Sequence, residues 1–531
     1  PDAASWVPFH AELSLRLGRA LSGQGDLDAA ESRLVDGYLE AVDSQSVDIA
    51  SATALELAKL LGVQRNEPAR GMLWMRLAEV HERARGQTPL RRAGQLHRRS
   101  SLLKQLKRFD EAEVGYLKAL ELLEAELGPG HLLVARTRNN LGNLYEELSR
   151  FDEAMAQFEA AISIRRETLG NTHPDVAQTL VGMANTLGAM GDHDEALALH
   201  LRALKTYQTA LGDDHVLVAL ARGNLAAAHL DLRQLDAALE HATHSAKIYE
   251  AQFGALHAKT ANALNSIGTI HHWAGRLPEA KAHYERARLG LEATLGPGHA
   301  KVANVLFNLA LIQRETGETQ RARGLFQRAL NIRETVYGRS HVLVANSLEE
   351  FAILEATNAH PDEARAMFER TLAIRRALHG AGHTSVWRAV TNLAGLNELT
   401  SEPQRTRELY SKVVTDWTQA LGSDDPALAL PLLATAQLEL DEGQPAAAIA
   451  PARRAVALRS AQGQNAVSRA RAQFTLAQAL APDPRDTVTT ESLELARAAQ
   501  THYGESAEHE GPRAEVQAWL AERGVRDTNT R

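Results

Sequence analysis

Histidines recur along this sequence at a constant spacing, and regularly placed imidazoles raise the question of a metal site. Seven of them stand 42 residues apart: His131, His173, His215, His257, His299, His341 and His383. With one ring per unit and packed helices about 10 Å apart, these side chains cannot converge on one ion. We expect each ring to bond to backbone at a helix corner instead. His241 and His244 lie one helical turn apart, but the sequence supplies no third ligand, so no metal site is predicted.

The stretch Leu90–Arg108 is the second group of side chains that could do chemistry. It contains seven cationic residues and no acidic one: Arg91, Arg92, Arg98, Arg99, Lys104, Lys107 and Arg108. A helix of this kind can dock an acidic or phosphorylated partner segment through charge-assisted hydrogen bonds. It can equally be a solvated basic face, and the sequence leaves both alternatives open.

Motifs of catalysis are absent from the sequence. There is no Gly-Lys dipeptide, so no phosphate-binding loop, and no His-Arg-Asp, Asp-Phe-Gly or Gly-x-Ser-x-Gly motif. Cysteine is also absent, which excludes a thiol nucleophile, a disulfide and a cysteine-based zinc site. We predict that this segment is not an enzyme and has no catalytic residue, metal or cofactor. The alternative is an enzyme with an unrecognised site in residues 1–88 or 482–531.

The bulk composition restricts the class of partner. The chain has 531 residues, 23% of them charged, and a formal net charge of −8, which argues against non-specific binding to nucleic acid. No apolar run approaches the roughly 20 residues needed to span a bilayer. We therefore expect a protein or peptide partner, no nucleic acid and no direct membrane insertion. The oligomeric state is not predicted.

The histidines are one column of a longer repeat. The same period of 42 residues relates the glycines Gly128, Gly170, Gly212, Gly254, Gly296, Gly338, Gly380 and Gly422, and the alanines Ala112, Ala154, Ala196, Ala238, Ala280, Ala322 and Ala364. Apolar residues at helical spacing predict two helices per unit. Asp152 is predicted as the N-cap of a second helix, and Gly170 as the left-handed residue that ends it.

Six positions of the repeat match a known signature. They are Leu141, Gly142, Tyr145, Ala154, Phe158 and Ala161, and their spacing resembles that of the tetratricopeptide repeat. The unit of 42 residues, with Leu-Gly, His and Val-Ala before Asn-Asn-Leu, resembles the repeats of kinesin light chains and their bacterial relatives from Leu127 to about Gly422. The resemblance implies an all-α solenoid, a right-handed superhelix of about twelve antiparallel helix pairs with a C-terminal capping helix.

The regularity of the repeat divides the chain into three predicted regions. Residues 127–424 are the regular array, whereas residues 1–126 and 425–531 are divergent helix pairs, the latter including the cap. Divergent ends are expected because terminal repeats must present a polar face to water.

The first hundred residues also resemble the segment that follows the kinase domain in some large bacterial serine/threonine kinases. This similarity implies the scaffold or sensor region of a bacterial signalling protein, with the tail of a nucleotide-switch (STAND-type) ATPase as the alternative. The sequence begins at Pro1 rather than methionine, so we expect a longer protein with a kinase or ATPase core upstream. The expected location is cytoplasmic, or extracytoplasmic if a membrane span lies upstream.

The resemblance implies that first helices line a concave groove, and asparagine dominates their inward positions. An amide donates and accepts, so a row of amides could hold the backbone of an extended peptide, although the Asn140 column could instead bond to the neighbouring repeat. The predicted groove residues are Asn139, Asn140, Asn143, Asn185, Asn224, Asn262, Asn265, His272, Trp273, Asn304, Phe307, Asn308, Arg314, Asn346 and Asn392.

Overall fold

The structure, a computed structural model, describes residues 6–65, 67–84, 88–460, 466–483, 488–504 and 509–524. Within these residues the chain is helical and has no strand. The helices are α1 Val7–Gln24, α2 Leu27–Asp43, α3 Val47–Lys59, α4 Pro68–Ala84, α5 Pro89–Gln105, α6 Phe109–Leu127, α7 Leu132–Glu147, α8 Phe151–Leu169, α9 Pro174–Met190, α10 His193–Leu211, α11 Val216–Asp231, α12 Leu235–Phe253, α13 Ala258–Trp273, α14 Leu277–Leu295, α15 Ala300–Glu315, α16 Thr319–Tyr337, α17 Val342–Thr357, α18 Pro361–His379, α19 Thr384–Leu399, α20 Pro403–Leu421, α21 Ala429–Asp441, α22 Pro445–Arg459, α23 Ala466–Leu480, α24 Thr490–Tyr503 and α25 Glu510–Glu522.

Each odd-numbered helix from α1 to α23 is the first helix of a pair, and the even-numbered helix after it is the second. The described residues thus contain twelve pairs and a closing helix, which confirms the predicted all-α repeat architecture. The chain divides into two compact units, Pro1–Ile332 (unit 1) and Arg333–Arg531 (unit 2). The three regions predicted from repeat regularity are a separate division and stay a prediction.

Small residues let neighbouring helices approach closely, as the sequence predicted. The alanines at 112, 154, 238, 280, 322 and 364 are fully buried. The ring of Phe158 fills the space between α7 and α9, where a Cβ atom added to Gly142 or Gly182 would lie 2.8 or 2.5 Å from it. Any side chain at either glycine would therefore displace the ring.

The seven histidines are the N-caps of first helices, which confirms their predicted bonding to backbone. His131 Nδ1 accepts a hydrogen bond from the Leu133 N–H at 3.1 Å, and the other six accept from the residue two positions on at 3.1 or 3.2 Å. The contact requires an unprotonated Nδ1. One period after His383, the Asp425 side chain is the N-cap and accepts a hydrogen bond from the Ala427 N–H at 2.8 Å.

Two local predictions need correction. Arg150, whose side chain makes no capping bond, occupies the N-cap of α8, and Asp152 lies in the first turn, where its charge favours the helix dipole. Gly170 has the predicted positive φ of 81°, but its ψ of 165° lies outside the left-handed helical region. Only glycine readily adopts this combination, so the glycine column is required by backbone conformation.

Gly212→Ala should therefore lower the free energy of unfolding by about 1–3 kcal/mol through backbone strain alone. Gly212 has φ 83° and ψ 165°, and no atom in the described part of the chain lies within 4 Å of a Cβ built there, so no clash contributes. Urea denaturation followed by circular dichroism measures the change. Ser149→Gly is the matched control: Ser149 has a left-handed φ of 58°, so glycine there should stabilise. Destabilisation by both substitutions would contradict this account.

Candidate peptide-binding surface

The asparagines of the Asn140 column bond to the preceding repeat rather than facing open solvent. The Asn140 amide lies 3.2 Å from His97 Nε2, and the Asn308 amide donates to Asn265 Oδ1 at 3.2 Å. In unit 2 the Asn392 amide donates to Glu349 Oε1 at 2.7 Å. In each case the acceptor is 43 residues earlier in the chain. The structure thus shows the inter-repeat alternative for Asn140, Asn308 and Asn392, and it places Asn265 in the same kind of bond.

Asn139 and Asn346 bond to buried arginines. Asn139 is 2% exposed and accepts from Arg165 Nη1 at 3.2 Å, so its predicted position in an open groove is wrong. In unit 2, Asn346 Oδ1 accepts from Arg375 Nη2 at 3.4 Å. Both amides accept a hydrogen bond from a guanidinium that burial has removed from water.

The buried arginines are polar residues that our sequence analysis missed. Arg165, Arg333 and Arg375 are at most 4% exposed and occupy a column that is otherwise Leu, Tyr or Trp between Leu123 and Trp417. Arg165 donates to the Thr179 hydroxyl at 2.7 Å, and Arg333 donates to Ser347 at 2.6 Å. The sequence feature that could have revealed Arg165 and Arg333 is the hydroxyl residue 14 positions after each of them.

The remaining predicted groove residues differ in their exposure to solvent. His272 Nε2 lies 2.9 Å from a carboxylate oxygen of Glu315, one repeat on, and the Phe307 ring packs edge-on against Phe326 at 5.7 Å. Trp273 is 45% exposed, with the Arg233 guanidinium 4.2 Å from the centre of its ring. Asn304 is exposed and Arg314 is half-buried, both on α15.

Four predicted asparagines have side-chain amides that no described residue hydrogen-bonds: Asn143, Asn185, Asn224 and Asn262. Asn185 is exposed and the others are half-buried. They belong to α7, α9, α11 and α13, the first helices of four successive repeats in unit 1. We call these four residues the open amide row.

The open amide row runs diagonally across these first helices. Its residues lie in the fourth turn of α7 and α9, the third turn of α11 and the second turn of α13. Counted from the capping histidine of each helix, Asn143 and Asn185 hold the same position, and each of the next two asparagines lies three or four residues earlier. They therefore lie on the same face of their helices, because residues three or four apart are neighbours on a helix surface. Leu220, which is 44% exposed, lies one turn before Asn224 on that face. The row can donate to and accept from a backbone, and Leu220 offers an apolar contact between the amides.

The predicted basic patch on α5 and the turn after it is largely neutralised within the chain. Arg98 and Arg99 lie 3.7 and 3.1 Å from Glu82 and Glu79 of α4, respectively. Lys104 and Lys107 both pair with Glu147 of α7, and Arg108 pairs with Glu111. Arg91 and Arg92 are exposed at the start of α5. Five of the seven cations are thus paired with carboxylates of the chain, four of these cations with residues of the helices α4 and α7, which disfavours the patch as an anion-docking site.

Neither a metal centre nor a membrane span is found in the part of the chain that the structure describes. No group of three or more His, Asp or Glu side chains there is arranged to hold a metal ion. His241 stacks on His229 at 5.4 Å, and His244 Nδ1 lies 3.0 Å from the Glu240 carbonyl. Among the described helices, none combines the length and the hydropathy that crossing a bilayer requires.

Comparison with solved structures finds other helical repeat proteins. BtubC (BKLC) from P. vanneervenii is 21% identical, with a TM-score of 0.39 over 43% of this chain and 91% of that chain. A kinesin light chain of nearly identical TPR-like repeats from Podosopora anserina is 20% identical, with a TM-score of 0.34 over 39% and 98%. A Rap protein complexed with competence and sporulation factor is 17% identical, with a TM-score of 0.47 over 69% and 98%. No curated protein sequence matches significantly.

Comparison with family models gives a direct assignment. The model described as tetratricopeptide repeat matches residues 93–167, 168–251, 259–335 and 317–377, which together make up more than half of the chain. Repeats of this kind form scaffolds for protein–protein interaction. Their all-α fold is typical of segments without enzymatic activity. The match confirms the resemblance stated for residues Leu141 to Ala161, and the chain belongs to the tetratricopeptide repeat family.

Proposed function

We propose that unit 1 binds an extended segment of a protein partner across its first helices, with the open amide row holding the backbone. The observation that carries this proposal is that the fold uses the amides of Asn140 and Asn308 but leaves four others without a partner among the described residues. An extended chain advances about 3.3 Å per residue, so amides on helices about 10 Å apart would meet every third residue. Backbone contacts of this kind tolerate many side chains, whereas Leu220 would select apolar ones.

A photo-crosslinking experiment identifies the partner and tests the surface at once. A benzophenone amino acid replaces Leu220 on the first helix α11 or, as a matched control, Leu201 on the second helix α10. The two leucines are 44% and 46% exposed, so they differ in the face they occupy rather than in accessibility. We expect a partner to crosslink at position 220 and not at 201. Equal crosslinking at both positions, or crosslinking at 201 alone, would contradict the proposal.

Affinity measurements then separate ligand contacts from structural bonds. Alanine at the four positions of the open amide row should weaken the captured partner about a hundredfold or more, because each lost backbone contact costs about 1 kcal/mol. Thermal stability should change little. The control is Asn140→Ala with Asn308→Ala, which removes inter-repeat bonds and should lower the melting temperature without a comparable loss of affinity. The reverse pattern would show that the row serves the fold.

We also propose that the chain is the scaffold or sensor region of a cytoplasmic bacterial signalling protein of the serine/threonine kinase type. Support comes from the resemblance of the first hundred residues, and a STAND-type ATPase tail is the second candidate. The coding sequence upstream of Pro1 tests both, since it would contain a kinase or an ATPase core. An open reading frame that starts near Pro1, with turnover in an activity screen, would favour an enzyme with a site in the divergent flanks.

A further inference from the structure

Unit 2 contains a cavity of about 840 Å³ among the first helices α19, α21 and α23. Apolar side chains on two sides line it, chiefly Trp387 of α19 and Leu430, Leu433 and Leu438 of α21, all half-buried. Tyr410 and Thr406 of α20 lie at its buried end, 9% and 6% exposed. The cavity thus has the size and the apolar lining typical of a binding pocket.

The cavity lies where the repeat departs from its own pattern. Trp387 occupies a column that is otherwise alanine in every repeat from Ala93 to Ala429. Thr406 occupies the only position between Ala112 and Ala448 in its column that is not alanine. Both substitutions enlarge or polarise a position that elsewhere lets helices approach closely. The ring centres of Trp387 and Trp417 lie 6.1 Å apart, so the Trp387 ring packs between α19 and α20.

Charges of opposite sign line opposite edges of the cavity. Glu398 near the end of α19, with Asp441 and Glu442 at the end of α21, makes one edge acidic. Arg471 in the second turn of α23 makes the other edge basic. Among the described residues, none makes a hydrogen bond or an ion pair with the charged side-chain group of Glu398, Glu442 or Arg471. Helix dipoles reinforce both edges, because C-terminal ends attract cations and N-terminal ends attract anions.

The length of the cavity wall along α19 gives the length of a fitting ligand. Glu398 follows Trp387 by eleven positions, so the two lie about 16 Å apart along α19 at 1.5 Å per residue. An extended peptide covers that distance in about five residues.

We propose that this cavity binds a segment of a protein partner of about five extended residues, with an apolar side chain at its middle and opposite charges at its ends. The apolar side chain packs between the apolar walls formed by α19 and α21 and against Tyr410, the basic end meets Glu398 and Glu442, and the acidic end meets Arg471. This site is independent of the open amide row of unit 1, so either proposal can fail while the other stands.

Selection from a random heptapeptide library displayed on phage tests the charge pattern. The full chain is compared with a Glu398→Lys, Glu442→Lys variant and with an Arg471→Glu variant. These residues are exposed, so the substitutions leave the fold intact. The rim is varied rather than Trp387, because Trp387 also supports the core around Trp417.

We expect the wild-type pool to carry one acidic and one basic residue on either side of an apolar residue. The lysine variant should select acidic residues at both ends, and the Arg471→Glu variant should select basic residues at both ends. The best wild-type peptide should lose about tenfold in affinity for either variant. Identical charge patterns in the three pools, or no enrichment over uncoated beads, would overturn the proposal.

Discussion

Replacing Glu349 with alanine should lower the free energy of unfolding of unit 2 by about 3–5 kcal/mol, because it leaves a buried guanidinium without its counter-ion. Arg375 is 1% exposed and Glu349 is 5% exposed, and Arg375 donates to both carboxylate oxygens, one at 2.8 Å and one at 2.5 Å. The same carboxylate accepts from Asn392 of the next repeat at 2.7 Å. One side chain therefore neutralises a buried charge and joins two helix pairs.

Urea denaturation of wild type and variant measures this loss. Glu369→Ala is the control, since Glu369 is an exposed glutamate on the neighbouring helix α18 and should change stability by less than about 0.5 kcal/mol. The double change Glu349→Leu with Arg375→Met should cost less than Glu349→Ala alone, because apolar residues of similar volume leave no unpaired charge. A double variant less stable than the single one would contradict the ion-pair account.

Acidification should destabilise the protein mainly between pH 6.5 and pH 4. Burial lowers the pKa of His200 to about 4, and burial together with Arg136 and Arg98 lowers the pKa of His97 to about 4. The ordinary value in the unfolded chain is 6.5. Between these values the unfolded chain binds protons that the folded chain does not, so stability falls as the pH falls. Each histidine contributes about 3 kcal/mol over the full window.

The local geometry explains why protonation is unfavourable. The Asn140 amide approaches His97 Nε2 at 3.2 Å, while Nδ1 lies 3.1 Å from the Thr137 hydroxyl. A neutral ring can accept from the amide, whereas a protonated ring would present a second donor to it. His200 is 4% exposed, and its Nδ1 has no hydrogen-bond partner among the described residues, so a charge there would be buried without compensation.

Thermal melts between pH 4 and pH 8 at constant ionic strength test the window. His200→Phe is the informative variant, because Phe158 and Phe326 occupy the same column. It should have a smaller pH dependence than wild type and no loss of stability at pH 7. Glutamates with a lowered pKa, such as Glu318 and Glu402, act in the same direction only below about pH 4.5. Parallel pH profiles for wild type and His200→Phe would contradict the assignment.

The repeat architecture could be predicted from the sequence because each unit makes the same contacts. All seven histidines of the column make the same contact: each caps a helix by accepting a hydrogen bond from the backbone N–H two residues on. The sequence analysis predicted that they bond to the backbone. The helix pairing followed for the same reason, since small residues recur wherever two helices touch. What the period could not supply was the conformation of single residues, as the corrections at Asp152 and Gly170 show.

Which asparagines are available for binding depends on side-chain contacts between repeats. The residue types in an aligned column do not show these contacts. Asn140 and Asn143 are both asparagines on one face of α7, yet Asn140 reaches His97 of the preceding pair, whereas no described residue bonds the Asn143 amide. Within the column of Asn140, an amide is bonded where the residue 43 positions earlier is polar, as before Asn140, Asn308 and Asn392. Asn224 of the same column follows Val181 at that distance and has no such partner among the described residues.

The sequence by itself determined that this protein is an all-α array of tetratricopeptide repeats, because a strict period forces the same local packing in every unit. Only the tertiary structure decided which polar side chains remain open to a ligand. Desolvation is the physical reason: a buried donor or acceptor must find a partner wherever the fold supplies one. Arg165 and Arg375 therefore take up Asn139 and Asn346, and the open amide row consists of the asparagines that the fold left over.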